Sequence, residues 1–446
     1  MLRRDLLKAA VAAPAAAAAA TRQPNIVVIL ADDLGYADLG FQSAKDIPTP
    51  NIDRLAGSGV RFTNAYVSHP FCSPTRAGLM TGRYQQRFGH ENNPVYNPRD
   101  ELSGLPLEET TLPQVLNKAG YATGLVGKWH LGAAPKFHPM KRGFTEMFGF
   151  LGGGHDYFKA QMDGEPREYM IPIQRNGESA VEPEYLTDAF SREAAAFIER
   201  HRAHPFFLYL AYNTPHTPLQ ATGKYLDRFP HITDPKRRSY AAMVSSLDDG
   251  VGRVMEALRR SNLESDTLVF FLSDNGGPPS ANASSNGPLR AAKGTVYEGG
   301  IRVPFLARWK GKLKPTVYPE PVISLDIFPT AAAAAGAPVA GLRPLDGINL
   351  MPHLAGEKNN PPHEALFWRT GGGVSYAVRH GKHKLVRAAG ASAAELYDLA
   401  ADLSESRDMA PAEPATLAKL QRAYDDWNRG MKPPVFQGPP PPARKA

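Results

Sequence analysis

The chain has 446 residues, of which 51 are basic and 44 acidic, so its formal charge at pH 7 is +7. Hydrophobic residues make up 42% and charged residues 21%, and this ordinary globular composition excludes a chain that is disordered throughout. The length fits one large α/β domain with an appendage, or two to three domains. A single cysteine, Cys72, excludes an intramolecular disulfide and a cysteine-based zinc cluster.

Residues 1–20 have the pattern of an export signal. Arg3 and Arg4 precede a weakly apolar run made almost wholly of alanine, and the arginine pair favours the twin-arginine export machinery. The alternative is an uncleaved anchor helix, which is disfavoured because alanine is weakly hydrophobic and Pro14 interrupts the run. We therefore expect a bacterial protein that is periplasmic or secreted, with no stable membrane span after processing.

Short apolar runs bounded by turn signals alternate with segments of helical spacing. The predicted strands are 25–31, 121–126, 205–212 and 267–273. The predicted helices are 51–58, 112–119, 188–202 and 240–260. This alternation predicts an α/β fold with a large mixed, mostly parallel sheet sandwiched by helices. In such folds the chemistry gathers beyond the carboxyl ends of the strands.

The sequence pattern changes after about residue 345. Four short segments separated by glycine-rich or polar turns predict a smaller antiparallel sheet, and residues 412–431 predict one amphipathic helix. We therefore divide the chain into a signal peptide, a main domain, a C-terminal α+β subdomain and a proline-rich tail that we expect to be disordered. The predicted boundaries are 1–20, 22–345, 346–431 and 432–446.

Polar side chains follow two of the predicted strands directly. Asp32 and Asp33 come after the first strand, and Asp274 and Asn275 come after the strand at 267–273. Either pair alone is more often a helix cap or an Asx-turn. Two such pairs on parallel strands of one sheet instead converge at its carboxyl edge. Their oxygen atoms suit a hard divalent cation, Ca²⁺ rather than zinc.

The segment around the only cysteine, residues 71–83, reads FCSPTRAGLMTGR. Pro74 can occupy the first turn of a helix, which would put Cys72 at a helix N-terminus, where the dipole favours developing negative charge. A lone cysteine is usually an inert buried residue. Here, however, Cys-x-Pro-x-Arg followed by Leu-x-Thr-Gly-Arg resembles the signature of the type I sulfatases.

The chain resembles the sulfatase family, within the alkaline-phosphatase-like superfamily, over essentially all of residues 24–430. The other matching segments are short, and their order along the chain is what makes them specific. They are residues 31–35, 49–55, 127–132, 215–218, 273–277, 293–300 and 395–399. The resemblance implies that residues 22–345 are the catalytic domain of a sulfuric ester hydrolase.

The resemblance also implies a modified nucleophile and a metal. A formylglycine-generating maturation enzyme would convert Cys72 to Cα-formylglycine, whose hydrated form, a gem-diol, attacks sulfur and gives a covalent sulfate hemiester. Loss of the proton from the second hydroxyl would then expel sulfate. The residues implied to bind one Ca²⁺ are Asp32, Asp33, modified Cys72, Asp274 and Asn275.

Five further residues take catalytic roles by the same resemblance. Arg76 and Lys128 would steady the formylglycine and its developing charge. His130 would take the second proton, because imidazole accepts a proton near neutral pH. His216 and Lys293 would bind sulfate oxygens and help to protonate the leaving alcohol. A sulfated sugar or oligosaccharide is the favoured substrate of an exported basic enzyme, with an aryl sulfate as a convenient test substrate.

Two other functions are weighed against this one. A phosphomonoester, phosphodiester or phosphonate ester hydrolase of the same superfamily would usually need a second metal site, whereas the sequence offers a single constellation of four oxygen ligands. A non-catalytic binder of sulfated glycans would be expected to have lost part of the catalytic set, which is complete here. Nucleic-acid binding is not expected, because the chain lacks a lysine and arginine block with interleaved aromatic residues.

Overall fold

A computed structural model describes residues 22–158 and 169–438. The strands in the described residues are β1 Asn25–Ala31, β2 Val60–Phe62, β3 Ala65–Tyr66, β4 Ala122–Lys128, β5 Glu146–Phe150, β6 Gln174–Arg175, β7 Glu178–Ser179, β8 Phe206–Ala211, β9 Thr267–Ser273, β10 Phe305–Arg308, β11 Thr316–Tyr318, β12 Val322–Ile323, β13 Ala365–Thr370, β14 Ser375–His380, β15 His383–Arg387 and β16 Glu395–Asp398. The α-helices are α1 Pro50–Gly57, α2 Cys72–Thr81, α3 Leu112–Lys118, α4 Leu186–Arg200, α5 Gly223–Leu226, α6 Pro235–Arg260, α7 Pro279–Asn282, α8 Glu298–Ile301, α9 Ile327–Ala334, α10 Met351–Leu354 and α11 Pro414–Asn428.

Ten of the strands form one large mixed sheet in the order β11-β2-β10-β9-β1-β8-β4-β5-β6-β7. Its centre, from β9 through β1, β8 and β4 to β5, is parallel, whereas β10 and β6 join as antiparallel neighbours on the two sides. The predicted mostly parallel sheet is therefore confirmed. The short outer strands widen it beyond the four strands that the sequence pattern indicated.

The central strands are hydrophobic on both faces because helices cover both faces. All seven residues of β1 are buried, as is typical of a strand inside a parallel sheet. One face packs against α1, α4 and α6, and the other packs against α2, α3 and α9. The long helix α6 begins where Asp234 accepts a hydrogen bond from the Arg237 amide at 2.8 Å and Pro235 fixes the first turn.

The four C-terminal strands form a separate antiparallel sheet in the order β13-β14-β15-β16. Helix α11 covers one face of this sheet through Leu420 and Tyr424. The other face packs against the main body, where the Trp368 indole donates to the carbonyl oxygen of Val67 at 2.7 Å. The predicted smaller antiparallel sheet with a helix is confirmed.

The predicted disorder of the proline-rich tail is wrong for residues 432–438. The Lys432 amide donates to the carbonyl oxygen of Gln86 at 2.9 Å, and the Phe436 side chain is buried. Residues 439–446 and the predicted signal peptide at 1–20 lie outside the described residues. Among the residues that the structure describes, no helix is both long and apolar enough to span a membrane.

Candidate active site

The two acidic pairs predicted from the sequence lie side by side at the carboxyl edge of the large sheet. Strands β1 and β9 are parallel neighbours with Ala31 opposite Ser273, so the residues that follow them are brought together. The Asn275 side-chain amide donates to Asp33 Oδ1 at 2.7 Å. Asp274 Oδ1 accepts the Asp33 amide at 3.3 Å. All four side chains, those of Asp32, Asp33, Asp274 and Asn275, are buried.

Cys72 is the first residue of helix α2, as the position of Pro74 predicts. Its sulfur lies 3.5 Å from Asp32 Oδ1 and 3.2 Å from the Lys293 ammonium nitrogen. Burial raises the pKa of the Cys72 thiol to about 12, and the neighbouring lysines only partly oppose this effect. The unmodified thiol is therefore protonated at neutral pH and is a poor nucleophile.

Each of the three cations beside Cys72 is matched with a carboxylate. Arg76 donates to Asp274 Oδ2 through two nitrogens, at 3.1 and 2.7 Å. Lys128, the last residue of β4, donates to Asp32 Oδ2 at 2.5 Å, and Lys293 lies 2.6 Å from Asp33 Oδ1.

These pairs set the ionisation of the acids. Burial alone would raise the pKa of Asp32, but the nearby positive charges, chiefly Lys128, lower it. Burial would likewise raise the pKa of Asp33, and Lys293 lowers it. Asp274 differs, because burial and the negative charge of Asp32 raise its pKa despite Arg76.

His130 and His216 approach the same place from β4 and from the loop after β8. His130 has a φ of 59°, an uncommon backbone conformation for a residue other than glycine. Burial, with Lys128 nearby, lowers the pKa of His130 well below its usual value, so its imidazole is neutral and can accept a proton. A Cβ at Gly153 would lie 2.8 Å from His130 Nε2, so a side chain there would crowd the imidazole.

His216 lies against the acidic pairs, with its Nε2 3.6 Å from Asp33 Oδ2. Its Nδ1 is 2.6 Å from the carbonyl oxygen of Thr217. Because a carbonyl only accepts, Nδ1 is the donor in that bond, which leaves Nε2 facing the site. The structure therefore brings together all the residues that the sequence analysis proposed for this site.

Two observations indicate that the residues present fit a divalent cation. Ligand atoms of Asp32, Asp33, Cys72 and His216 all lie within 4.8 Å of one another. The buried Asn275 Oδ1 has no hydrogen-bond partner in the described part of the chain. A buried amide oxygen beside several carboxylates is a ligand set that a hard, oxygen-preferring ion accepts.

Sequence reasoning assigned no individual role to several residues that lie next to this site. Ser73, beside Cys72, contacts two of them: its amide donates to Asn93 Oδ1 at 2.9 Å, and its hydroxyl lies 2.7 Å from His90 Nε2. The Tyr157 hydroxyl lies within hydrogen-bond distance of the carbonyl oxygens of Asn213 and His216, at the two ends of the turn that carries His216. Ser73 is itself a variable position of the cysteine motif, and the other residues lie in loops, where no periodicity marks them.

The comparisons with known proteins agree with this geometry. A model of the sulfatase family matches residues 24–337. The N-acetylgalactosamine-6-sulfatase of Homo sapiens is 38% identical over 354 residues, which cover 74% of this chain and 66% of that protein. Arylsulfatase A of Homo sapiens is 39% identical over 390 residues, which cover 81% of this chain and 74% of that protein.

A solved structure described as Ps i-CgsB in complex with k-i-k-neocarrahexaose is similar over nearly the whole fold. It is 42% identical, has a TM-score of 0.88, and the match covers 93% of this chain and 95% of that chain. The match to the human N-acetylgalactosamine-6-sulfatase, in contrast, spans just under two thirds of that protein's length. On the family match and these relatives, the chain is an enzyme of the sulfatase family, within the alkaline-phosphatase-like superfamily.

Proposed function

We propose that this protein hydrolyses a sulfate ester of a carbohydrate through a formylglycine formed from Cys72. The observation that carries the proposal is the position of Cys72. This residue is the first of helix α2, and its side chain contacts both Asp32 and Lys293. The protonated thiol supports a modified nucleophile, because an unmodified cysteine with a pKa of about 12 has almost no thiolate at neutral pH.

Asp32, Asp33, Asp274, Asn275 and the modified Cys72 would hold one Ca²⁺. The ion supplies positive charge that lowers the pKa of a coordinated hydroxyl group. The fit rests on the chemistry of the donors and on the unpartnered Asn275 oxygen. Among the described residues, one group of three or more potential ligands lies close enough to hold an ion, which favours a single-metal site.

Formylglycine supplies a hydrated aldehyde: one hydroxyl attacks sulfur, and deprotonation of the other expels sulfate and restores the aldehyde. His130, neutral because its pKa is lowered, would accept that proton. Lys293 would bind sulfate oxygens, since its ammonium group already lies against Cys72. His216 would protonate the leaving alcohol from Nε2, while Arg76 and Lys128 hold the acids in place.

We further propose a sulfated oligosaccharide as the substrate class. The similar structure of Ps i-CgsB contains a k-i-k-neocarrahexaose. Two relatives are named as sulfatases, arylsulfatase A and N-acetylgalactosamine-6-sulfatase, and the second name includes an amino sugar. The predicted twin-arginine signal at 1–20 supports a periplasmic or secreted enzyme. Because that machinery moves folded proteins, a maturation enzyme would act on Cys72 before export.

The test combines mass spectrometry with a substrate panel. In purified active protein, the tryptic peptide 62–76 should have lost the thiol sulfur of Cys72 and should react with a hydrazide. The panel should contain neocarra-oligosaccharides, N-acetylgalactosamine 6-sulfate, an aryl sulfate and, as control, the matching aryl phosphate. Sulfate release by protein whose Cys72 is entirely unmodified would contradict the proposed nucleophile, and faster release of phosphate would contradict the reaction.

A further inference from the structure

The C-terminal segment 431–438, here named the C-terminal strap, runs along residues 86–92, which lie in the chain between α2 and α3. After α11 ends at Asn428, the Val435 amide donates to the carbonyl oxygen of Gly89 at 3.0 Å. The Asn92 side chain donates to the carbonyl oxygen of Phe436 at 2.8 Å. The carbonyl oxygen of Lys432 accepts a hydrogen bond from the Arg369 guanidinium at 2.5 Å. The strap is thus fixed to the body on both sides.

Phe436 is the one large apolar side chain of the strap that is buried, with 7% of its surface exposed. Its ring meets the His90 ring edge to face, with centroids 4.9 Å apart and planes at 84°. Val435, beside it, is 49% exposed. The position of the His90 ring therefore depends on Phe436 and on the hydrogen bond of the imidazole.

His90 is connected to His130 through one hydroxyl group. The Ser73 hydroxyl donates to the carbonyl oxygen of His130 at 2.5 Å. Since a serine has a single hydroxyl proton, the 2.7 Å contact between Ser73 Oγ and His90 Nε2 must be donated by the imidazole. Burial lowers the pKa of His90 to about 4, so its neutral imidazole has a single N–H. With that N–H on Nε2, the 3.2 Å approach of Nδ1 to the carbonyl oxygen of Gly104 is a contact and not a hydrogen bond. The chain of contacts thus runs from Phe436 through His90 and Ser73 to the backbone of His130.

The backbone of His130 needs such support. Its φ of 59° is strained for a residue with a side chain, and strained conformations persist only where neighbouring groups hold them. Its amide donates to the carbonyl oxygen of Leu151 at 3.2 Å, a long bond, and its carbonyl oxygen accepts from Ser73. Loss of the second bond would free the peptide to rotate and carry the imidazole with it.

We propose that Phe436 is a positioning residue for catalysis, which acts through His90 and Ser73 to hold His130 in its strained conformation. This inference rests on the proposed function for the role of His130 as base. Under that role, loss of Phe436 should slow the release of sulfate and the return of free enzyme. It should slow the earlier release of the alcohol much less, because that step needs His216 and Lys293.

The first test measures, without any catalytic turnover, whether Phe436 stabilises the backbone at His130. Hydrogen exchange is followed by mass spectrometry in peptides containing residues 129–131, using protein with unmodified Cys72. Phe436→Ala and truncation after Met431 should both raise exchange there by about tenfold, because exchange reports local opening. Val435→Ala and truncation after Gly438 are the matched controls and should leave it unchanged. Phe436→Leu, which keeps an apolar side chain, should restore most of the protection and also covers a failure of the alanine variant to fold.

The second test uses matured enzyme and an aryl sulfate in rapid-mixing kinetics. Phe436→Ala should release one equivalent of phenol quickly and then turn over about 10²-fold more slowly than the wild type, the size expected of a small displacement of a catalytic group. Unchanged exchange at residues 129–131 in folded Phe436→Ala would overturn the inference, as would equal slowing of both steps. A wild-type enzyme that cleaves no sulfate ester would overturn the proposed function instead, while the exchange result would still decide whether Phe436 holds His130.

Discussion

Replacing Lys384 by methionine should destabilise the protein strongly, because this lysine neutralises two buried carboxylates. Its ammonium group donates to Glu298 Oε1 and to Glu405 Oε1, each at 2.8 Å. All three side chains are fully buried. Glu298 begins α8, five residues after Lys293, so the cluster also joins the C-terminal sheet to a segment of the proposed site.

The magnitude follows from the partners that remain. Glu298 keeps the Tyr66 hydroxyl at 2.8 Å and Arg302 at 3.2 Å, so it stays ionised. Glu405 keeps only a backbone amide, that of Glu298 at 2.7 Å, among the partners recorded in the described residues. Lys384→Met therefore leaves one uncompensated buried charge, and removing one partner of such a cluster costs about 3–5 kcal/mol of unfolding free energy at pH 7.

The loss should depend on pH in a defined direction. Burial already raises the pKa of Glu405, and without Lys384 that pKa should rise further. A carboxyl with a raised folded-state pKa contributes stability that is full below its unfolded value, near 4.5, and is lost as the pH rises through the folded value. The defect should therefore be smaller at pH 5 than at pH 7. Lys384 is the largest of the charges that lower the pKa of Glu298 to about 2 in the wild type, and Arg302 and Arg379 remain in the variant to favour its ionised form.

Urea unfolding followed by tryptophan fluorescence at pH 5 and pH 7 measures this difference. Lys382→Met is the matched control, since Lys382 lies in the turn before the same strand, is 57% exposed and pairs with Asp398. An exposed pair of this kind contributes little to stability. The reasoning is refuted if Lys384→Met is no less stable than the control, or if its loss is the same at both pH values.

Two further predictions concern the proposed site. Ca²⁺ alone should raise the melting temperature of the wild type, by linkage between ion binding and folding, and should raise that of Asn275→Ala less. Chelation should abolish sulfate release until Ca²⁺ is added, and chelator-resistant turnover would exclude the ion. His216→Ala should slow the hydrolysis of sugar sulfates roughly 10²–10⁴-fold and that of activated aryl sulfates much less, because only a poor leaving group needs a proton. An equal loss for leaving groups of graded acidity would reduce His216 to a sulfate-binding residue.

The sequence predicted those parts of the site that follow directly from regular elements. Asp32 comes after the seven-residue, mostly apolar run of β1. Such a run between turn signals predicts a buried strand from local sequence alone. Cys72 was placed at a helix start because Pro74 restricts its own backbone in a way that suits the first turn. Local chemistry was sufficient in both cases.

Contacts between distant segments could not be predicted in the same way. The sequence predicts Asp274 as an ion ligand at the sheet edge, and nothing in it indicates that substituting this residue by alanine would affect the fold. In the structure the substitution would remove the closest carboxylate of the fully buried Arg76 and leave it only the Lys128 carbonyl at 3.3 Å and Asp32 at 3.6 Å, which makes Asn275→Ala the cleaner test of the ion. The proline-rich composition of residues 432–438 predicted disorder, yet Phe436 finds a buried site against His90, 346 positions earlier in the chain.

The charges of the site explain why a divalent ion would matter for binding as well as for chemistry. Three carboxylates are balanced by three cations within the described residues: Asp32 by Lys128, Asp33 by Lys293 and Asp274 by Arg76. These three ion pairs together offer a sulfate monoanion no net positive charge, and burial makes an uncompensated anion costly. One bound Ca²⁺ would add net positive charge to these balanced pairs. Removal of the ion should therefore weaken substrate binding, whereas loss of His130, which lies outside this balance, should leave binding intact and block only turnover.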